Sequence, residues 1–480
     1  MERDEQIETP DVLEFDGDHE DLSETVSLNR QEKLWTELLE SLVRERKDTE
    51  LTSFIKEVYS SDIADFIEKM EQEDGLYLFR HLPPDEQGDV LYEFEDHVRD
   101  RYLRDILNSS EVAAIILEQP SDRAADILAE LDLESVSRVL ARIPYEDRVK
   151  VTELLSYPEN TAGALMTKDF VAVQQNDTVK KAISTLRRAS ERTDDIQFIY
   201  VVDEEGAYKG HISLKQLILS RPQSRVKRIM KEELLPIRAY TDREDVANFF
   251  TRYDFIAAPV IDDRGVLLGR ITADDILEVL QEEASEDILR MGGVSGEERL
   301  TTPLLRTSLQ RVVWLAVNLG TAFLSASVIQ VFEKTIEKVV LLAALMPIVA
   351  ALGGSAANQT VALVVRNIAL GELTDANTRS TVTREITIGL INGIIIGLIA
   401  GIIIFLVTGN QAIALVILLA LLFNLLVASF VGTMVPVFLR KVKVDPAIAS
   451  SMMVATCTDV MGFSLFLGLA SVLLHITGTT

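Results

Sequence analysis

The sequence has a single cysteine, Cys457, in 480 residues, so no disulfide framework holds it together. It has no Gly-Lys dipeptide, which excludes a Walker A phosphate loop, and neither Asp-Lys-Thr-Gly nor His-Glu-x-x-His occurs. With five histidines in all, an ATP-driven pump or a membrane hydrolase is poorly supported. Residues 1–27 contain no apolar run of the kind a secretory signal needs. They are acidic and polar, and the composition predicts a disordered tail over 1–29. The long apolar stretches near the C-terminus contain no deep lysine or arginine.

The net charge of -28 hides a division. Leu309–Thr480 holds 9 Lys and Arg and 7 Asp and Glu, which leaves 38 basic and 68 acidic residues to the first 308. The front half therefore carries a net charge of -30, and the back is nearly neutral and apolar. Such a front repels nucleic acid and attracts cations.

A helix needs about 20 apolar residues to cross the hydrocarbon core. Five segments qualify: 309–332, 339–365, 386–408, 412–438 and 446–474. Their connections alternate in charge. The residues before the first span, the 366–385 loop and "RKVKVD" (440–445) are rich in Arg and Lys, whereas "EKTIEK" and "GNQ" have no basic excess. Basic loops face the cytoplasm. The expected topology therefore has a cytoplasmic N-terminus and soluble half, and a C-terminus outside the cell (inner) membrane.

Within the spans, Gly389, Gly393, Gly397 and Gly401 repeat at i+4, the spacing at which helix backbones approach closely. The second span contains "MPIVAALGGSAANQT", where Pro347 and Gly353-Gly354 are expected to loosen the helix. Its polar residues can line a pore or bond to neighbouring helices. The last span contains Asp459, 13 residues after Pro446, or about 20 Å along a helix. A charge at that depth costs at least ~2.5–3.5 kcal/mol and usually marks an ion or proton path. The alternatives are a protonated carboxyl or one bonded to polar groups on a neighbouring helix. With no deep basic partner, a cation from outside the protein is favoured. A single carboxylate per chain suits a hard cation that keeps much of its water, such as Mg²⁺. Two chains around one axis would supply two carboxylates.

The soluble half holds an internal repeat over residues 163–283. "IYVVDEEGAYKGHISLKQLI" is echoed by "APVIDDRGVLLGRITADDIL", each copy reading strand, helix, strand, turn, strand, helix. This resembles a tandem pair of CBS domains, which the resemblance links to adenine nucleotides or ions. Its Ser/Thr-x-x-Asp signature stands as Thr272 to Asp275 in the second copy and as Ser213 to Gln216 in the first. Residues 30–157 read as short helices that begin at proline–acid signals, "PPDEQGDVLYEF", "PSDRAADILAEL" and "PYEDRVKVTELL". Short units of this kind must stack into a superhelical array. The stretch 274–294 reads as one amphipathic helix with Glu282, Glu283, Glu286 and Asp287 crowded on its polar side. Such crowding destabilises a helix unless cations neutralise it.

The order of parts, with "SYPENTAGALMT" (156–167), "EEASEDILRMGGV" (282–294), "GGSAANQ" (353–359) and "VDPAIASSMMVATCTDV" (444–460), resembles the MgtE family of magnesium channels and transporters. The resemblance runs from about residue 30 to about 475. It implies a multidomain membrane protein. An all-α superhelical N-domain (30–157) leads into an α/β tandem CBS pair (158–280, with copies at about 163–222 and 226–280). A connecting plug helix (281–305) and a transmembrane domain of five helices (306–480) follow. It further implies a homodimer with a pore on the two-fold axis and Asp459 as the pore carboxylate facing hydrated Mg²⁺. Gly353, Gly354, Ser355, Asn358, Ser451 and Ala455 would line the pore. Regulatory Mg²⁺ would bind Asp242, Glu244, Asp254, Asp275, Glu278, Glu283, Glu286 and Asp287, close the plug helices over the pore, and release them when Mg²⁺ falls. ATP at the CBS pair is a further implied ligand. The chain departs from the family pattern at Ser355, often Asn, and at Ser451-Met452, where Asn-Pro or Gly-Pro is familiar.

Two other functions fit the same residues. One is transport of another divalent ion such as Co²⁺ or Mn²⁺, disfavoured because oxygen ligands outnumber soft ones. The other is a membrane-anchored nucleotide sensor, for which Asp459 would be dispensable.

Overall fold

The computed structural model describes residue 35 and residues 38–56, 58–190, 196–296, 298 and 302–477. The tail expected over 1–29 lies outside the described residues. The chain divides into two units: residues up to Tyr157 with Thr167–Asp169, and Pro158–Met166 with everything from Phe170 onward.

In the first unit, helices form at Asp48–Ile55, Ser60–Lys69, Gln72–His81, Pro84–Glu93, Asp96–Arg101, Ser109–Glu118, Ser121–Ala129, Leu133–Leu140 and Tyr145–Leu154. The three proline–acid signals act as expected, with Pro83, Pro120 and Pro144 as N-caps. Proline fixes φ ahead of the first turn, and the acids that follow meet the positive end of the helix dipole. Helices this short are marginal alone in water. Each is stabilised by stacking: Ser60–Lys69 packs on Pro84–Glu93, that helix on Ser109–Glu118, and that one on Leu133–Leu140. Leu78, Phe79, Val90, Leu91 and Ile115 fill the seam and are fully buried.

The second unit opens with two copies of one motif. The first has β1 (Val171–Gln174), α1 (Val179–Ala189), β2 (Phe198–Val202), β3 (Tyr208–Ser213) and α2 (Leu214–Leu219). The second has β4 (Ile237–Arg238), α3 (Arg243–Tyr253), β5 (Ala257–Ile261), β6 (Leu267–Thr272) and α4 (Ala273–Met291). In each sheet the first two strands run parallel and the last two antiparallel. The repeat read from the sequence is thus the repeat of the fold. The copies join at their matching turns, where Tyr208 N–H donates to the Gly265 carbonyl (2.9 Å) and Leu267 N–H to that of Gly206 (3.1 Å). Both glycines have positive φ, +83° at Gly206 and +86° at Gly265, which a side chain would disfavour.

Helix α4 starts earlier and stops sooner than the 281–305 expected of the connecting helix. It grows directly from β6, and it ends where Gly293 turns left-handed and Val294 N–H returns to the Leu289 carbonyl.

Among the described residues, five helices are long and apolar enough to cross a membrane: α5 (Leu304–Val331), α6 (Leu341–Ala369), α7 (Thr378–Thr408), α8 (Gln411–Lys441) and α9 (Pro446–Thr477). Helix α8 is central and packs against α6, α7 and α9. All four glycines of the stripe on α7 are buried. A Cβ at Gly397 would lie 2.8 Å from the Leu418 carbonyl oxygen, so the stripe serves close packing. Helix α6 differs from expectation: it runs unbroken through Pro347 and the glycine pair. The bond this proline removes is the one to the Ala343 carbonyl, so one interior helical bond is forgone without breaking the helix.

Candidate ion site and its connecting helix

Helix α9 begins with its own cap, since Ala447 N–H donates to Asp445 Oδ1 (2.7 Å). The helix then carries Asp459 about 20 Å further on. Asp459 is half-buried and, among the described residues, has no hydrogen-bond or ion-pair partner. A carboxylate left open at membrane depth must face water, an ion or a second chain rather than lipid. Ser355 and Asn358 are exposed on this single chain, and Gly354, Ser451 and Ala455 are partly so. Gly353 departs from the pore-lining expectation: it is buried against α8, where the Asn424 amide fills the space a Cβ would take.

The acids of the soluble part gather where α3 meets the second half of α4. Asp242 caps α3 by accepting from Glu244 N–H (3.0 Å). The next residue, Arg243, reaches across to α4, meeting Glu283 at 2.6 Å, Glu282 at 3.0 Å and Glu286 at 3.8 Å. At the end of α4, Arg290 pairs with Glu286 and with Asp445. Two guanidinium groups therefore supply the positive charge that the crowded acids need. Among the described residues, no group of three or more His, Cys, Asp or Glu side chains is drawn together tightly enough to hold a metal. The remaining expected ligands stand apart. Asp254 ends α3 in the left-handed conformation, about 18 Å along the helix from Asp242. Asp275 completes a capping box with Thr272, whose Oγ1 donates to it at 2.7 Å. Glu278 lies between Asp275 and the cluster.

The cluster is coupled to the membrane helices. Asp445 both caps α9 and holds Arg290, so one side chain joins the connecting helix to the helix of Asp459. Met291, the last residue of α4, packs against a core of Ala357, Val361 and Val365 from α6, Ala428 from α8, and Ala447 and Val454 from α9. Movement of the end of α4 cannot leave these helices undisturbed.

Comparison with known proteins follows the same division. Family models match in order: the MgtE intracellular N domain over residues 58–160, the CBS domain over 162–221 and 226–282, and the MgtE divalent cation transporter over 346–469. The magnesium transporter MgtE of Thermus thermophilus is 32% identical over 449 residues, covering 93% of this chain and 99% of that protein. This chain belongs to the MgtE family. The magnesium transporter MgtE of Bacillus subtilis is 29% identical, over 90% of this chain and 96% of its own. A crystal structure described as the cytosolic domain of the Mg²⁺ channel MgtE in complex with ATP is 32% identical. It covers 50% of this chain and 98% of that one, with a TM-score of 0.48. An MgtE-family chain is a divalent cation transporter of the membrane and not an enzyme.

Several residues of this MgtE-family chain escape a reading of the sequence alone. Arg243, Arg290 and Asp445 take their roles only when α3, α4 and α9 meet. Glu385, placed by the sequence in the 366–385 loop, is inside α7 and 4% exposed, with Oε2 3.4 Å from Thr360 Oγ1. The signal for it lies in the spacing, because Glu385 extends the glycine stripe by one i+4 step.

Two acids at this contact, Glu244 and Asp287, are held above the usual carboxylate range. Withdrawal from water, then the carboxylates of Glu283, Asp287, Asp242 and Asp245, push Glu244 up to about 7. Glu244 as a residue is exposed, so crowding is the sturdier of these causes. Burial, then Asp445 and Glu283, push Asp287 up to about 6 against the pull of Arg290. Both values lie above those of free carboxyls, roughly 4. The packed arrangement therefore binds more protons than the separated helices. Its stabilisation is complete below about pH 4 and is lost as pH rises through 6 to 7. Without Mg²⁺, hydrogen exchange in α3 and α4, corrected for intrinsic rate, is expected to speed up between about pH 5 and pH 8. Protection that stays flat or grows over that range would contradict the assignment.

Proposed function

We propose that this protein is a magnesium-selective channel that mediates Mg²⁺ influx and is closed by intracellular Mg²⁺ acting on the acidic cluster. The observation that carries the reading is Asp459, an unpartnered carboxylate, among the described residues, about 20 Å into the last membrane helix. Two such carboxylates, one from each chain of a homodimer, would face a hydrated cation on the shared axis. The soluble half is cytoplasmic and the C-terminus lies outside, in keeping with the basic 366–385 and 440–445 loops. The relatives' printed name, magnesium transporter, supports the choice of ion, as does an oxygen-only acid set.

Closure follows from charge. A front half carrying a net charge of -30 resists compaction without cations. Arg243 and Arg290 neutralise part of the cluster, and Mg²⁺ shared among Glu244, Glu283, Glu286 and Asp287 would supply the rest. Asp242, Asp254, Asp275 and Glu278 extend the acidic surface along α3 and α4 for further weak sites. With α4 held, Met291 and the Arg290–Asp445 pair keep α6, α8 and α9 closed. ATP at the CBS pair would act on the same contacts through the second copy, whose last strand runs straight into α4.

Conduction is expected to need only a gradient. An inward divalent charge gains roughly 4.6 kcal/mol per 100 mV, twice the value for one charge. Purified protein in liposomes with an inside-negative potential should take up Mg²⁺ without ATP or a counter-ion. Uptake that requires either would replace the channel by a coupled transporter.

A further inference from the structure

We infer that Asn424 is a positioning residue for the ion site: its amide sets the helix of Asp459 against the Gly353-Gly354 segment of α6. The inference rests on the reading of Asp459 as the ion's ligand. Asn424 lies on α8, is 1% exposed, and donates from Nδ2 to the Val349 carbonyl of α6 at 2.8 Å. Two glycines on two other helices make room for it. A Cβ on Gly353 of α6 would stand 2.3 Å from Nδ2, and a Cβ on Gly462 of α9 would stand 2.8 Å from Oδ1. The amide thus fills the meeting point of three membrane helices.

Its orientation is fixed by chemistry. The opposite orientation would set two acceptor oxygens face to face at Val349. Oδ1 must therefore point to Gly462, and it is buried there without a donor among the described residues. An unpaired acceptor in an apolar interior costs free energy that an apolar group would not. The neighbouring buried residues of α8 are Ala420, Leu421, Leu425 and Ala428, all apolar. Asparagine here buries an unpaired acceptor among apolar neighbours, and polar groups so placed in membrane helices mark functional positions.

Gly462 follows Asp459 by three residues, one turn along the same side of α9. The bond to Val349 fixes the height of α8 on α6, and the contact with Gly462 fixes the approach of α9. Together they set where Asp459 stands relative to Ser355 and Asn358. A ligand site tolerates displacements of only about 0.5 Å before its geometry fails, so loss of this contact acts on discrimination between ions of different size.

The test measures the ratio of Mg²⁺ to Ca²⁺ flux for full-length protein in liposomes, a quantity independent of how much protein is active. Asn424→Leu keeps the branched outline, with bulkier ends, and removes the bond. Gly353→Ala leaves Asn424 in place but displaces its amide. Each is expected to lower the ratio roughly tenfold, about 1.4 kcal/mol. In the Asn424→Ala/Gly353→Ala double variant the overlap is relieved, so yield recovers over Gly353→Ala while the ratio stays low. An unchanged ratio in Asn424→Leu overturns the inference, as does reduced flux at an unchanged ratio or failure of all three variants to assemble. If Asn424→Leu alone does not assemble, Gly353→Ala decides by the same ratio. Asp459→Ala, measured alongside, separates the two readings: normal flux in that variant removes the ion site itself, whatever the Asn424 variants do.

Discussion

Asp459→Ala is expected to abolish Mg²⁺ uptake while leaving the protein folded. A carboxylate at this depth costs at least ~2.5–3.5 kcal/mol, and among the described residues nothing offsets that cost. If a cation offsets it, removing the charge removes an attraction of comparable size, a loss of roughly a hundredfold or more in occupancy. Cells starved of Mg²⁺ and dependent on this protein would not grow. The same substitution relieves a desolvated charge, so thermal stability in detergent should hold steady or rise. That pairing of lost function with retained stability separates an ion ligand from a structural residue. Normal uptake by Asp459→Ala would leave the membrane-anchored sensor as the better reading.

The second large effect concerns shut-off. In Glu283→Gln/Glu286→Gln/Asp287→Asn, flux is expected to persist at internal Mg²⁺ concentrations that close the unaltered protein. These acids take most of the cluster's contacts: among the described residues, Arg243 retains only the ion pair with Glu282, at 3.0 Å, and Arg290 only that with Asp445. Changing a population from 1:99 to 99:1 needs about 5.5 kcal/mol of differential binding. No single surface ion pair supplies that, since such pairs contribute about 1 kcal/mol or less. Several acids sharing cations at one helix contact can supply it, and removing three of them should leave too little. Ordinary shut-off in the triple variant would contradict the sensing role. A variant shut at all Mg²⁺ concentrations would show that neutral charge suffices without any bridging ion.

Much of this molecule can be read from periodicity. The CBS repeat is legible because each copy alternates strand and helix signals at a constant offset. The spans are legible because hydrocarbon thickness dictates their length, and the stripe from Gly389 to Gly401 because close packing demands small residues at one spacing. Reading by period fails where a role depends on a partner distant in the chain. Asn424 is an amide in the middle of an apolar helix, and its acceptor, Val349, is 75 residues away. Arg243 looks like a first-turn residue of α3 until α4 is packed beside it. Glu385 is hidden by its neighbour Arg384, since two adjacent charges read as loop although one of them is buried. The end of the connecting helix is marked by Gly292-Gly293, a stop signal that the helix read over 274–294 respects and that the 281–305 implied by the resemblance overruns. Pro347 misleads in the opposite sense, because α6 runs on through it at the loss of a single helical bond.

The family resemblance names the regulatory acids, and the fold supplies their counter-ions. In this protein the connecting helix is tied down by two arginines, so Mg²⁺ would complete a docking already begun rather than create it alone. Arg290 extends the tie through Asp445 to the first turn of α9, which puts the cluster and Asp459 on one continuous run of chain from the cap of that helix.

Internal Mg²⁺ at the α3–α4 acids is proposed to govern a pore whose ligand is Asp459. Patch recordings of the full chain, with Mg²⁺ on the cytoplasmic face raised from none to saturating, test it most directly. The expected result is inward Mg²⁺ current that falls steeply and reversibly as cytoplasmic Mg²⁺ rises, and that loses this dependence in the Glu283/Glu286/Asp287 variant. Current that ignores cytoplasmic Mg²⁺ in the unaltered protein would contradict it.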